Sequence, residues 1–271
     1  MTPVPTPRVR SDLPFYLALA LLGGLYAGLI VALLLANLAY TSAGSLARAF
    51  AAPEIRASTW LSLVSCSAAA ILSVWVAVPL GYLLSRTRFP GREALDVLLD
   101  VPIVLPPLVI GLSLLVLFQT PPGVWFQRHV MTVTYAVPGV VLAQFASVAA
   151  FAVRTMRVTF DQIDPRAEHV ARSLGCSRGQ AFWRVTLPEA RRGALTAFTL
   201  AWARALGEFG PILVFAGATR MRTEVLSTSV FLEWSTGNLE TALAVSFLMI
   251  AVAVAVLVVT RAFGLRGTGL I

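Results

Sequence analysis

Lysine is absent from this 271-residue sequence, and all 21 basic residues are arginine. That absence excludes an ordinary G-x-x-x-x-G-K-[ST] phosphate loop, whose lysine reaches the β- and γ-phosphates, and it excludes a lysine Schiff base. Histidine is limited to His129 and His169, and cysteine to Cys66 and Cys176. These are too few for a zinc site of three or four such ligands, and no metal or other cofactor is expected. Cys66 lies in an apolar run and Cys176 in a loop expected in the cytoplasm, so no structural disulfide is expected. Charge is scarce too, at 13% of residues against about 25% in a soluble domain. No soluble domain is discernible.

What the chain has instead is apolar length, with 58% hydrophobic residues. A transmembrane helix needs about 20 mostly apolar residues to cross roughly 30 Å of hydrocarbon. About six stretches qualify to within a few residues, at 15–40, 60–85, 97–118, 135–158, 194–217 and 241–263. The first exceeds the apolar core of a secretory signal, about 7 to 15 residues, and is read as a retained helix. The third contains Pro102, Pro106, Pro107 and Gly111, so it is expected to be kinked or interrupted and to face protein or a cavity. The resulting plan is an N-terminal tail 1–14, a first helix 15–40, a five-helix core 60–263 with a long loop 160–193, and a tail 264–271.

The net charge of +8 is a topology signal rather than a nucleic-acid footprint, because the arginines gather in a few loops. Arg8, Arg10, Arg86, Arg88, Arg92, Arg261, Arg266 and the arginines between 154 and 192 fall on one side. Arg48, Arg56, Arg128, Arg220 and Arg222 fall on the other. The positive-inside rule then puts both termini in the cytoplasm. Membrane lipid is an expected partner and nucleic acid is not.

The loop 160–193 has a complete local grammar. Asp164 and Pro165 form a helix-opening pair; Ala167, Val170, Ala171 and Leu174 form an i, i+3, i+4, i+7 apolar stripe; Gly175 stops the helix. Ser177 and Gln180 stand in capping-box spacing and open a second helix, carrying Phe182, Trp183 and Val185 and ending at Leu187 and Pro188. Two readings stay open from these residues: a docking surface for another protein, or an amphipathic element lying on lipid.

At these residues the chain resembles the permease subunits of bacterial ATP-binding-cassette importers. Their loop signature is E-A-A, three residues, G, nine residues, an aliphatic residue, any residue, then L-P. Gly175, Val185, Leu187 and Pro188 occupy its G, aliphatic, L and P positions. Strict spacing places His169, Val170 and Ala171 on E-A-A, with Glu168 one position early, so the acidic slot falls to Glu168 or His169. The resemblance, spanning about 60–263, implies an all-α integral membrane protein with the type I importer permease (MetI-like) fold. It makes the loop a coupling helix that docks in the cleft of an ATPase subunit. It further implies a non-catalytic subunit in a bacterial or archaeal cell (inner) membrane. The partners it implies are a pair of ATPase subunits, an extracytoplasmic solute-binding protein and a second permease copy, taken as a homodimer.

In the fifth span, Arg204 and Glu208 lie four residues apart and stack on one helix face. Buried ionisable residues cost about 3 kcal/mol each on insertion scales, so they pair or face a polar path. The pair either holds a helix interface closed or lines and gates the route. Gly207 and Gly210 permit close approach or a hinge, and Phe209 fills the gap. The segment ARALGEFG and the later TEVLSTSVF, with Thr223 and Glu224, resemble permeases for molybdate and tungstate. Sulfate permeases have a similar stretch, and Pro211 departs from the molybdate pattern. Molybdate or tungstate is the cargo this implies, with sulfate, thiosulfate or another small anion as the alternative. Thr196, Thr199 and Ser246 either serve a polar solute or bond their own helical turn. Rival classes are a stand-alone secondary transporter, for which Glu208 is the clearest coupling carboxylate, a membrane enzyme, and an assembly factor.

Overall fold

The computed structural model describes residues 12–265; Arg8, Arg10 and Arg266, with most of both expected tails, lie outside the described residues. The described residues form helices and no strand: α1 (Leu13–Tyr40), α2 (Ala43–Ala51), α3 (Pro53–Arg86), α4 (Arg92–Val104), α5 (Pro107–Gln119), α6 (Pro121–His129) and α7 (Val137–Gln162). The chain continues through α8 (Pro165–Ser173), α9 (Arg178–Ala181), a π turn (Phe182–Thr186), α10 (Leu187–Glu189), α11 (Arg191–Leu206), α12 (Gly210–Phe215), α13 (Leu226–Ser235) and α14 (Leu239–Leu265).

Four helical stretches are long and apolar enough to cross a bilayer: Phe15–Tyr40, Pro53–Arg86, Val137–Gln162 and Leu239–Thr260. The proline-rich third span is a broken pair, with α4 and α5 bent by 112°, because Pro106 and Pro107 supply no amide hydrogen to continue the ladder. The fifth expected span is also broken. Its helix α11 stops after 16 residues, about 24 Å of rise, and the chain restarts as α12 with Pro211 in its first turn.

The core is a close bundle of α3, α7 and α11. Along its buried face α3 carries Ser58, Ser62, Ser65, Cys66, Ala69, Ala70, Ser73, Ala77 and Gly81, small residues that let backbones approach. A Cβ on Gly81 would sit 2.9 Å from Met156 Cβ and from the Arg157 backbone nitrogen. The serines cost little there, because Ser62 donates to Ser58 O at 2.8 Å and Ser73 to Ala69 O at 2.7 Å. Helix α4 is tied to α7 by charge: Arg157 meets Asp96 at 2.5 Å, and Arg154 meets both Asp96 and Asp100.

Expectation and structure part on the lipid-facing sides. Helix α1 is exposed along nearly its whole length and touches mainly α14. The broken third span faces protein on one side only: Gly111 presses on Pro211, while Val97, Val104 and Leu112 stay exposed.

Candidate coupling surface and buried charge pair

Hydrogen bonds between near neighbours build the loop 160–193. Asp164 Oδ1 caps α8 by accepting from the Arg166 amide at 2.9 Å. At the far end Gly175 has φ +94°, a left-handed conformation that glycine adopts without a side-chain penalty. The amides of Gly175 and Cys176 return to Arg172 O and Ala171 O at 3.0 and 3.1 Å, which is a Schellman closure. Ser177 and Gln180 exchange both capping-box bonds, at 3.2 and 2.9 Å.

The second helix does not end at Leu187 and Pro188. The Leu187 amide reaches back to Phe182 O, five residues rather than four, and this wider turn admits the Pro188 ring without a clash against the carbonyl four residues earlier. Ala190 then turns the chain into α11.

This loop faces outward in an unusual way. Val170, Leu174 and Trp183 are exposed, Leu174 to 81%, so the apolar stripe of α8 is not covered by its own chain. Ala171, Val185 and Leu187 are half-buried; Pro188 and His169 are exposed. Glu168 points the other way. It is 8% exposed, accepting from the Tyr82 hydroxyl at 2.7 Å and the Thr186 hydroxyl at 3.2 Å. Glu168 and His169, rivals for one slot in the sequence, are thus distinguished by burial: the first turns inward and the second lies exposed. Sequence reasoning missed Tyr82 and Thr186, since no periodicity links them to Glu168. Glu168 is also the single acid from Pro165 to Pro188, so its withdrawal leaves Arg166, Arg172, Arg178 and Arg184 on a cationic surface.

The second site lies where the two broken spans meet. Arg204 Nη1 and Glu208 Oε2 are 2.5 Å apart, with Glu208 1% and Arg204 38% exposed at the side chain. A cavity of about 350 Å³ opens here, lined by Pro106, Pro107, Leu108, Arg204, Gly207, Glu208, Phe209 and Gly210. The expected gate residues are thus together, and the structure adds the start of α5, part of the third span expected to face protein or a cavity. Beside the cavity Phe209 packs on Phe231 at 5.0 Å, and Ser227 donates to Glu208 O at 2.7 Å. The two glycines differ. A Cβ on Gly210 would meet Leu108 at 3.2 Å, whereas one on Gly207 finds only Arg204 O at 3.8 Å.

The hydroxyls considered for the path are spent within their own helices: Thr196, Thr199 and Ser246 donate to Arg192 O, Leu195 O and Ala242 O. A further cavity, about 620 Å³ between α7 and α11, is lined by Arg154, Gln162, Glu189 and Arg192, while its Thr155 and Thr159 hydroxyls also bond their own helix. Thr223 Oγ1 accepts from the Thr219 amide. Glu224 is buried with Oε1 bonded to Ser229 and Oε2 without a partner, and burial pushes its carboxyl up from the ordinary value. Arg220, near it, joins Glu233 at 2.6 Å and Glu54 at 3.6 Å. Both cysteines are free thiols.

Comparison with known proteins bears on the family and the fold. A family described as "Binding-protein-dependent transport system inner membrane component" matches residues 77–266. The chain is 33% identical over 201 residues, 73% of each protein, to the sulfate transport system permease protein CysT of Escherichia coli. It is 37% identical over 203 residues, 75% of this chain and 73% of the other, to a probable molybdenum ABC transporter permease protein of Haloferax volcanii. Among solved structures, a bacterial alginate ABC transporter superposes with a TM-score of 0.75 at 16% identity, covering 95% of this chain and 96% of that one. The MetNI methionine ABC transporter gives 0.63 at 16%, covering 77% and 94%. These last two speak for the fold.

Proposed function

This chain belongs to the binding-protein-dependent transport system inner membrane components, and from that premise we propose that it moves molybdate or tungstate through the cavity at Arg204. It is a multi-pass ABC transporter permease of the MetI-like fold, a non-catalytic subunit whose ATPase is another polypeptide. Members of this family work with ATPase subunits and a solute-binding protein.

One observation carries the proposed path: two interrupted spans place an arginine, a helix start and a cavity of about 350 Å³ at one point. Discontinuous helices that present their N-terminal ends to a cavity favour an anion there, as does a guanidinium. Glu208 holds Arg204 in place and limits the positive charge, so the site suits transient passage rather than tight retention. The uncovered apolar side of α4 and α5 supports a second copy of this chain closing the route, as a homodimer.

We place the loop 160–193 and both termini in the cytoplasm, from the arginine distribution. There the exposed Leu174 and Trp183, set among Arg166, Arg172, Arg178 and Arg184, fit an ATPase cleft with an apolar floor and an acidic rim. Sulfate or thiosulfate is the second reading, favoured by the match to CysT.

The test is to reconstitute this permease with its ATPase and binding protein in vesicles, and to measure ATP hydrolysis with molybdate, tungstate, sulfate and phosphate added separately. Stimulation by molybdate or tungstate is the expected result. Stimulation by sulfate alone would move the assignment to the second reading, and failure to bind the ATPase subunit would remove the docking assignment.

A further inference from the structure

We propose that Glu168 is a positioning residue that carries movement of the docking helix to the membrane bundle through Tyr82, and is not itself part of the docking surface. This rests on the reading of loop 160–193 as the ATPase-docking surface. Helix α8 has one buried residue, Glu168. Every other side chain of the helix is exposed or half-buried, so the only side chain that roots α8 in the protein is a carboxylate.

Its two oxygens take one hydroxyl each, Oε1 from Tyr82 at 2.7 Å and Oε2 from Thr186 at 3.2 Å. Hydrogen bonds to a charged acceptor are short, directional and about twice as strong as neutral ones. A carboxylate that leaves both donors on moving would strand a buried charge. The joint therefore moves as a unit or breaks at high cost.

The far side of the joint is rigid. Tyr82 is wedged edge-on against Phe160 and Phe182, with centroids 5.6 and 4.7 Å away. The residue just before it, Gly81, lies against α7 with no room for a Cβ. Higher on the same helix, Ser67 accepts from Trp202 Nε1 at 3.1 Å, two residues before Arg204. Glu168 thus joins the docking helix to α3, which packs directly on α11, the helix of the charge pair.

The experiment uses the reconstituted permease–ATPase–binding-protein complex. Tyr82→Phe removes one hydroxyl and keeps the packed ring; Glu168→Gln keeps the shape and removes the charge. We expect both variants to bind the ATPase subunit as the unaltered chain does, while anion transported per ATP hydrolysed falls about tenfold, within the usual range of coupling between sites. The double variant should be little worse than Tyr82→Phe alone, because once the hydroxyl is gone the charge at position 168 no longer acts on Tyr82. Should Glu168→Gln fail to fold, Tyr82→Phe alone decides. Unchanged transport per ATP in Tyr82→Phe would overturn the proposal, as would loss of ATPase binding in both variants, which would put Glu168 on the docking surface after all. A Leu174→Asp variant separates the two readings. Its full retention of ATPase binding would remove the docking assignment itself, whatever Tyr82→Phe does.

Discussion

The loop 160–193 and the broken-helix cavity solve opposite problems. The loop must hold a fixed shape while leaving Leu174 and Trp183 uncovered, so it cannot draw stability from burying them. It relies on caps, which contribute about 1 kcal/mol each, and on residues turned inward, among them Glu168, Ala181 and Thr186. The cavity does the reverse: its helices are interrupted, at Pro106 and Pro107, which have no amide hydrogen, and at Gly207, where α11 ends, and it persists because α5 and α12 press against each other at Gly111 and Pro211. The outward-facing loop is specified locally, whereas the cavity between the broken helices is specified by its neighbours.

The largest expected effect tests that dependence on neighbours. Arg204→Ala leaves Glu208 buried without its cation and should destabilise the protein by about 3 kcal/mol, read as a lower thermal midpoint in detergent. Arg204→Ala with Glu208→Gln should recover most of that loss; equal damage in both would show that the pair is not direct. Next is a contrast of glycines. Gly111→Ala forces a Cβ to 2.6 Å from Pro211 Cα, and overpacking of this kind costs about 1 to 3 kcal/mol. Gly207→Ala should stay within about 0.5 kcal/mol. Matching losses would mean that the two spans do not cross where the structure puts them.

In the loop the expected changes are smaller in stability and larger in function. Gly175→Val meets no atom within 4 Å, yet it places a branched side chain at φ +94°, a conformation costing about 1–2 kcal/mol for such residues. Global unfolding should shift little while ATPase-coupled transport drops; normal transport would show that the Schellman end of α8 is dispensable.

The smallest effect concerns Glu224, on the loop before α13. Burial raises its carboxyl pKa, so its contribution to stability is fully present below the ordinary carboxylate value and is lost as pH rises through the raised one. Thermal midpoints of the unaltered chain should therefore fall with rising pH relative to Glu224→Gln, and parallel curves would remove Glu224 as the source.

Much of the loop was legible in advance because its bonds span two to five residues. Asp164 to Arg166, Ser177 to Gln180 and the turn at Gly175 can be read by spacing alone. The break at Pro106 was legible for the same reason, being written in the residues that make it. Pro188 misled, because a proline rule that assumes an α-helix does not foresee a π turn just before it. Glu168 could not be sided from sequence either: its hydroxyl partner Tyr82 is 86 positions away.

By itself the sequence determined that this chain is a multi-pass membrane protein, that its third apolar stretch is interrupted, and where helix α8 starts and stops. Those properties follow from the transfer of apolar side chains out of water and from hydrogen bonds between near neighbours. Only the tertiary structure decided that Glu168 turns inward, that Asp96 and Asp100 hold α4 to Arg154 and Arg157, and that two broken spans meet at Arg204. Each of these joins residues far apart in the chain, and such contacts exist only once α3, α7 and α11 have packed closely enough to bring them together.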